Sequence, residues 1–267
     1  MKFLVLVLLC TTSVWTKSYL RRIPDDKPAP RIIGGDLARA GQYPWLAAIY
    51  KYTEDGRYFC SGSLFNEQWI LTAGQCVYLA TSFIIQLGSN LLQGEDENRL
   101  TLGASTYYYE PRFDPQLLLH DIGLIKLNIP ITYTDYIHPV RMLSSMGPIY
   151  QGRVVEAAGW GQVSDDSALV NELRFVEMTI LGQTACQTYY GEQLWGSMCC
   201  AEGNYNEGPC YGDTGSPLMT AALVGNHTIQ VAIASFISIN GCESLDPTGY
   251  TRVDAYYNWI VNTTRDM

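Results

Sequence analysis

The chain predicts an all-β fold closed by a C-terminal helix, and three observations carry that prediction. Short apolar runs recur along its length, split by clusters of Gly, Asn, Asp and Pro, as strands joined by turns would be. The composition is aromatic and turn-rich, with Tyr 19, Gly 24 and Pro 12. Only the end changes period: Val253, Tyr256, Tyr257, Ile260 and Val261 recur at helical spacing.

The strand candidates follow in order. Residues 45–50 (WLAAIY) start after Pro44, and 69–72 (WILT) run into Ala73-Gly74. Residues 83–87 (FIIQL) stop at Gly88, and 122–127 (IGLIKL) stop at Asn128. Residues 154–158 (VVEAA) lie between Gly152 and Gly159, and 174–180 (RFVEMTI) end before Gly182. Residues 217–223 begin at Pro217, and 230–237 (QVAIASFI) end near Asn240-Gly241. Several are apolar throughout, as expected of walls buried in a packed barrel. The helix is predicted over 253–263.

The 267 residues, 47% hydrophobic, suit one globular unit or two closely packed subdomains. The formal net charge of -9 argues against a nucleic-acid partner. Residues 1–18 read as a secretory signal: Lys2, an apolar stretch from Phe3 to Cys10, then small polar residues. That stretch is much shorter than the roughly 20 residues a membrane span needs, and no other segment is long enough. A secreted, extracellular protein without a membrane span is expected. Residues 19–31 are polar and rich in Pro, Arg and Asp, so they read as a propeptide or linker. The folded domain is expected over 32–267.

Export implies an oxidising compartment, where cysteines pair. Cys10 leaves with the signal and seven remain, an odd number. Two sequons, at Asn226 and Asn262, are candidate N-glycosylation sites and so are expected at the surface.

Two segments carry the chemistry: Leu71-Thr72-Ala73-Gly74-Gln75-Cys76 and Cys210-Tyr211-Gly212-Asp213-Thr214-Gly215-Ser216-Pro217. They resemble the histidine and serine motifs of the chymotrypsin-like (trypsin-like) serine proteases, T-A-[AG]-H-C and C-x-G-D-S-G-G-P. Further resemblances follow in the family's order. Arg31-Ile32-Ile33-Gly34-Gly35 resembles the activation site, and Tyr43-Pro44-Trp45 with Cys60-Ser61-Gly62-Ser63-Leu64 resembles the opening strands. Asp121-Ile122-Gly123-Leu124-Ile125 resembles the aspartate motif, Ala158-Gly159-Trp160-Gly161 the start of the second barrel, and Gly249-Tyr250-Thr251-Arg252-Val253 the approach to the last helix. The resemblance implies two antiparallel six-stranded β-barrels, over about 32–138 and 139–250, with a cleft between them and a C-terminal helix. It also implies disulfides Cys60–Cys76, Cys186–Cys200 and Cys210–Cys242, leaving Cys199 unpaired, either as a buried thiol or in an intermolecular bridge.

The triad positions depart from the family. Gln75 stands where the histidine belongs and Thr214 where the serine belongs; Asp121 is retained. Acyl transfer in this fold needs a hydroxyl nucleophile, an imidazole to take its proton and a carboxylate to orient the imidazole. A carboxamide does not gain and lose a proton near neutral pH. The triad therefore reads as degenerate, and the expectation is that the chain is no enzyme. Gly212 and Thr214 retain the N–H groups of an oxyanion hole. The specificity pocket is implied to have Gly208 at its base and Ile237 and Thr248 on its wall, narrowing it to small residues or none. Ser216 replaces the motif's second glycine. Cleavage after Arg31 would free the amine of Ile32 to pair with Asp213, so a trypsin-like activating protease is an expected partner. No metal and no cofactor are expected; Gly94-Glu95-Asp96-Glu97-Asn98 reads as a solvated loop with Ser89 in place of an acidic calcium ligand. Tyr107, Tyr108 and Tyr109 read as strand packing.

The role this implies is binding: a cofactor or regulator of an extracellular proteolytic pathway, of immune or reproductive type. The expected partners are proteases, their substrates or their inhibitors. The alternatives are a weak or unusual serine/threonine-type endopeptidase acting through Thr214, and a carbohydrate- or surface-binding protein on the same scaffold.

Overall fold

The computed structural model describes residues 35–142, 151–191, 194, 196–204, 207–221 and 227–265. The expectations for the signal, the propeptide, Arg31, Ile32 and Asn226 lie outside them.

Two largely antiparallel sheets build the described part of the molecule. The first contains β2 (Leu46–Thr53), β3 (Gly56–Asn66), β4 (Trp69–Thr72), β5 (Ser82–Leu87), β6 (Leu100–Ala104), β7 (Thr106–Tyr109) and β8 (Gly123–Lys126). Its hydrogen-bonded order is β6-β5-β2-β3-β4-β8-β7, seven strands rather than the six expected. The difference has a simple origin. Only Ser105 separates β6 from β7, so the sheet's two end strands are halves of one bent segment, pairing β5 on one side and β8 on the other.

The second sheet contains β10 (Val154–Gly159), β11 (Arg174–Ile180), β12 (Met198–Gly203), β13 (Pro217–Ala221), β14 (Thr228–Phe236) and β15 (Thr248–Arg252). These form a closed six-stranded ring, because β11 pairs both β10 and β12. Two short strands, β1 (Asp36–Leu37) and β9 (Arg141–Met142), attach to β11 and β14. Among the described residues three short helices complete the fold: α1 (Gly74–Val77), α2 (Gln183–Tyr190) and α3 (Tyr257–Arg265), the last preceded by a 3-10 turn, Asp254–Tyr256.

Burial explains why several strands are apolar throughout. Side chains alternate across a strand. In β2, Ala47 and Ile49 enter the core of the first barrel, whereas Leu46 and Ala48 join a second core shared with Ala158, Trp160, Leu173 and Met219 of the other half. Both faces are buried, so no polar alternation survives. That shared core fixes one barrel against the other. The C-terminal helix crosses back: Val253, Tyr256 and Ile260 pack into the first barrel's core. It ends at Arg265, two residues beyond the expected end, and starts later because its first turn is 3-10.

Three disulfides join Cys60–Cys76, Cys186–Cys200 and Cys210–Cys242, and Cys199 is free and buried. Burial pushes the Cys199 thiol up to about 12, so at neutral pH it is a small neutral hydrophobe. Tyr107, Tyr108 and Tyr109 form most of β7, where Tyr107 packs on Phe83 and Tyr108 on Trp69.

Candidate active site

The site forms where elements of both sheets meet. β4 runs into Ala73, whose extended backbone starts the one-turn helix α1 carrying Gln75. Gly74 lets the segments approach closely: a Cβ would lie 3.2 Å from the backbone of Ile122, so a larger residue needs a small shift of its neighbours. Asp121 arrives from the turn before β8. That turn holds Leu118 and His120 at φ of 53° and 55°, a left-handed conformation that L side chains seldom adopt. His120 is fixed by Tyr256, whose hydroxyl lies 2.7 Å from its Nδ1. This is a packing role, as is the contact of exposed His138 with Tyr133.

Asp121 is 0% exposed and accepts three hydrogen bonds at the site. The Gln75 main-chain N–H donates to Oδ1 at 2.9 Å, and Gln75 Nε2 and Ser235 Oγ donate to Oδ2, each at 2.6 Å. Gln75 Nε2 also donates to the Ser235 carbonyl at 2.8 Å, tying α1 to β14 across the two sheets. Both amide hydrogens are thus committed to acceptors, which settles the amide's orientation. Burial pushes the Asp121 carboxyl up to about 6, against the lowering effect of the bonds from Ser235 and Gln75. Beneath the site, Lys51 Nζ donates to the Gln75 carbonyl at 3.0 Å. Burial holds that amine down to about 8.

Thr214 sits half-exposed in a tight turn. Its carbonyl accepts from the Ser61 N–H of β3 at 2.8 Å, a second tie between the sheets. The neighbouring N–H groups of Asp213, Gly215 and Ser216 donate to Cys210, Ala234 and Asp213 carbonyls. Among the described residues, the N–H groups of Gly212 and Thr214 donate to no protein acceptor. These are the two donors an oxyanion hole uses. Gly212 must be glycine: its φ is +100°, and a Cβ would meet Leu169 at 2.3 Å. Ser216 is not at positive φ, so this position takes a side chain without backbone strain.

The residues expected at the pocket lie close together. Gly208, Ile237 and Thr248 line one cavity; Thr214, Ser235, Ile237 and Thr248 line the next. The volumes are about 10 and 20 Å³, space for a water molecule and not for a side chain. Asp213 lies behind, 2% exposed, with its carboxylate held by the N–H groups of Gly161 (2.8 Å) and Cys210 (3.0 Å). Burial pushes it up to about 7. A Cβ at Gly159 or Gly161 would fall 2.0 or 2.2 Å from that carboxylate, so both glycines are part of its seat.

The chain's relatives can be set against this geometry. Residues 32–260 match the family model described as Trypsin. The chain belongs to the trypsin family. It is 31% identical to a collagenase of Hypoderma lineatum over 239 residues (88% of this chain, 87% of the relative). It is 31% identical to a brachyurin of Leptuca pugilator over 234 residues (87% and 98%), and 30% identical to chymotrypsin-C of Bos taurus over 236 residues (86% and 87%). The solved structure titled "HL collagenase structure at 1.7A resolution" superposes with a TM-score of 0.78 at 31% identity, covering 87% of this chain and 98% of that one.

These likenesses correct one expectation. The chain was expected to be no enzyme, and the proteins it matches over nearly nine-tenths of its length are named as proteases. The expectation of a chain that is no enzyme is therefore overturned: Gln75 and Thr214 occupy the motif positions of a trypsin-family chain whose relatives carry protease names. Sequence reasoning missed Ser235 and Lys51. Each leaves a trace, a polar residue inside an apolar strand run, VAIASF and AAIYKY.

Proposed function

We propose that this trypsin-family chain is secreted, seats an extended polypeptide segment of an extracellular protein in the cleft between its barrels, and thereby regulates an extracellular proteolytic pathway. One observation carries the proposal. The polar network around Asp121 is bonded to Gln75 and Ser235, while the Gly212 and Thr214 N–H groups are left to meet a carbonyl oxygen of a bound chain. The narrow pocket beside Thr214 favours glycine or alanine at the facing residue. Cleavage after Arg31 supplies the Ile32 amine as the counter-charge that buried Asp213 lacks, ordering the loops it touches.

A second reading is an endopeptidase of unusual, weak type. Thr214 keeps a hydroxyl in the nucleophile position, and its relatives are named as proteases. Its proton would have to leave without an imidazole, because residue 75 is a carboxamide.

The test is binding of a peptide library, varied at the residue facing Thr214, to protein cut at Arg31. Tightest binding by Gly and Ala members supports the proposal, and indifference to that residue contradicts it. Covalent labelling of Thr214 by a fluorophosphonate favours the endopeptidase reading.

A further inference from the structure

Strand β2 carries a charge into the first barrel. Side chains two residues apart share a face of a strand, so Lys51 lies in one row with Ala47 and Ile49, which line that barrel's core. It is 3% exposed. Lysine is almost never buried this far without a paired charge. Among the described residues its amine makes one hydrogen bond, to the Gln75 main-chain carbonyl at 3.0 Å. Across the sheet it faces Tyr58 of β3, whose ring centroid is 5.9 Å from Nζ, and Phe83 of β5. On α1 its neighbour is Gln75, whose own partner is the Asp121 carboxylate. Burial alone pushes the amine down to about 8, with no charged side chain contributing. An apolar side chain of the same length would fill this place without the cost of burying an ammonium.

The carbonyl it holds has no helical donor. In an α-helix the N–H of residue i+4 bonds the carbonyl of residue i. Tyr78 does this for Gly74 at 2.9 Å, and the next donor would be Leu79. Leu79 instead leaves the helix at a φ of 60°. The last carbonyls of a helix need other partners, and a lysine side chain is one group that supplies them. α1 is a single turn, and Ala73 gives it no side-chain cap. A turn this short is not stable by itself. Its geometry is set from outside: by Asp121 at the Gln75 N–H, by the Cys60–Cys76 disulfide one residue on, and by Lys51 at the Gln75 carbonyl.

We propose that Lys51 is a positioning residue of the cleft: its ammonium holds the Gln75 peptide so that the carboxamide stays on Asp121 and Ser235, and a bound polypeptide segment is released more readily once that proton is lost. The inference rests on the reading of the cleft as a seat for an extended segment and adds its control by alkaline pH. A charged donor bonds a carbonyl more strongly than a neutral one. Fold stability moves the other way. The native state sheds this proton more readily than the unfolded chain, whose lysines titrate at roughly 10.4, so the group's contribution to stability grows as pH rises from about 8 to about 10.5. Binding and stability therefore have opposite slopes. A lysine acting on the fold alone gives the second slope without the first.

The experiment measures the affinity of the Ala member of the peptide library for protein cut at Arg31, from about pH 7 to about pH 9, in wild type, Lys51→Met and Lys51→Arg. The Ile32 amine and Asp213 are common to all three, so differences between the profiles report residue 51. Wild-type affinity should fall about fivefold more over this range than that of Lys51→Met, the ratio of a charged to a neutral hydrogen bond. Lys51→Met should already bind roughly tenfold more weakly than wild type at the neutral end. Lys51→Arg, whose guanidinium keeps its proton, should bind close to wild type there and lack the extra fall. A measurement on wild type alone stands beside the variants. A peptide that prefers the charged amine must raise the amine's own titration midpoint, which NMR of isotope-labelled lysine follows. Identical profiles in wild type and Lys51→Met, or a midpoint unmoved by peptide, overturn the inference and leave cleft binding standing. Absence of binding to wild type at every pH sinks the cleft reading and the inference with it.

Discussion

Gln75 makes the family's contact to the buried aspartate with different chemistry. A histidine there bonds the carboxylate through one nitrogen and handles a proton with the other; Gln75 spends both amide hydrogens on Asp121 and Ser235. The carboxylate is fully hydrogen-bonded, and the carboxamide at residue 75 has no basic nitrogen of its own. Ser235 bears part of this arrangement. Ser235→Ala removes a buried hydrogen bond to a charged group, so it should cost about 1.5–3 kcal/mol in denaturant unfolding. In the pocket, Ile237 and Thr248 leave about 20 Å³ beside Thr214. Ile237→Gly should open it, and peptides with Leu or Phe at the facing residue should then gain affinity while Gly peptides change little. Unchanged preference in binding assays would mean that another side chain closes the pocket.

Among the elements, the loop before β6 shows how a side chain organises a segment. Arg99 donates to the Gly94 and Leu91 carbonyls, each at 2.5 Å, and to Ser89 Oγ at 3.3 Å. Ser89 in turn donates to Asp96. The same loop grips the second barrel, because the Asn90 carbonyl accepts from Trp160 Nε1 and from the Leu173 N–H. Arg99→Gln should loosen that grip, and hydrogen exchange should quicken at Leu92 and Leu173 by roughly tenfold or more; unchanged protection would mean the loop is held by its backbone alone.

Element existence was readable wherever an apolar run ended at Gly, Pro or Asn, as in β4, β5, β10, β11 and β13. Composition and periodicity did not mark β12 (Met198–Gly203) or β15 (Thr248–Arg252). Their runs are short and broken by cysteines, threonines and a glycine, and tertiary pairing makes them strands. The triad positions were legible because a motif surrounds each. Ser235 and Lys51 were not, since their roles depend on β14 and β2 being folded against α1. The pocket positions were legible, but its near-closure needed the packing of Met178 and Pro209 around them.

Across the whole molecule, two carboxylates buried at the junction of the barrels set the response to pH. Asp121 and Asp213 are raised to about 6 and about 7, from an unfolded value of roughly 4. A carboxyl raised on folding binds its proton more tightly in the native state. Its stabilisation is therefore complete below about pH 4 and is lost as pH rises through the folded value. Uncut protein should lose thermal stability between pH 4 and 7 from these two groups. Cutting at Arg31 should reverse the contribution of Asp213 alone, since an amine beside it favours the carboxylate. Melting curves for the two forms that run parallel over this range would show that the Ile32 terminus never reaches Asp213.

Peptide hydrolysis by the Gln75→His/Thr214→Ser variant, beside wild type, on an alanine-containing substrate after cleavage at Arg31, probes the altered relay most directly. Restoring an imidazole and an unhindered hydroxyl should raise kcat/KM by roughly 10⁴-fold or more, the scale on which such groups act together. Equal rates in the two proteins would contradict the proposal that residues 75 and 214 limit proton transfer at this site.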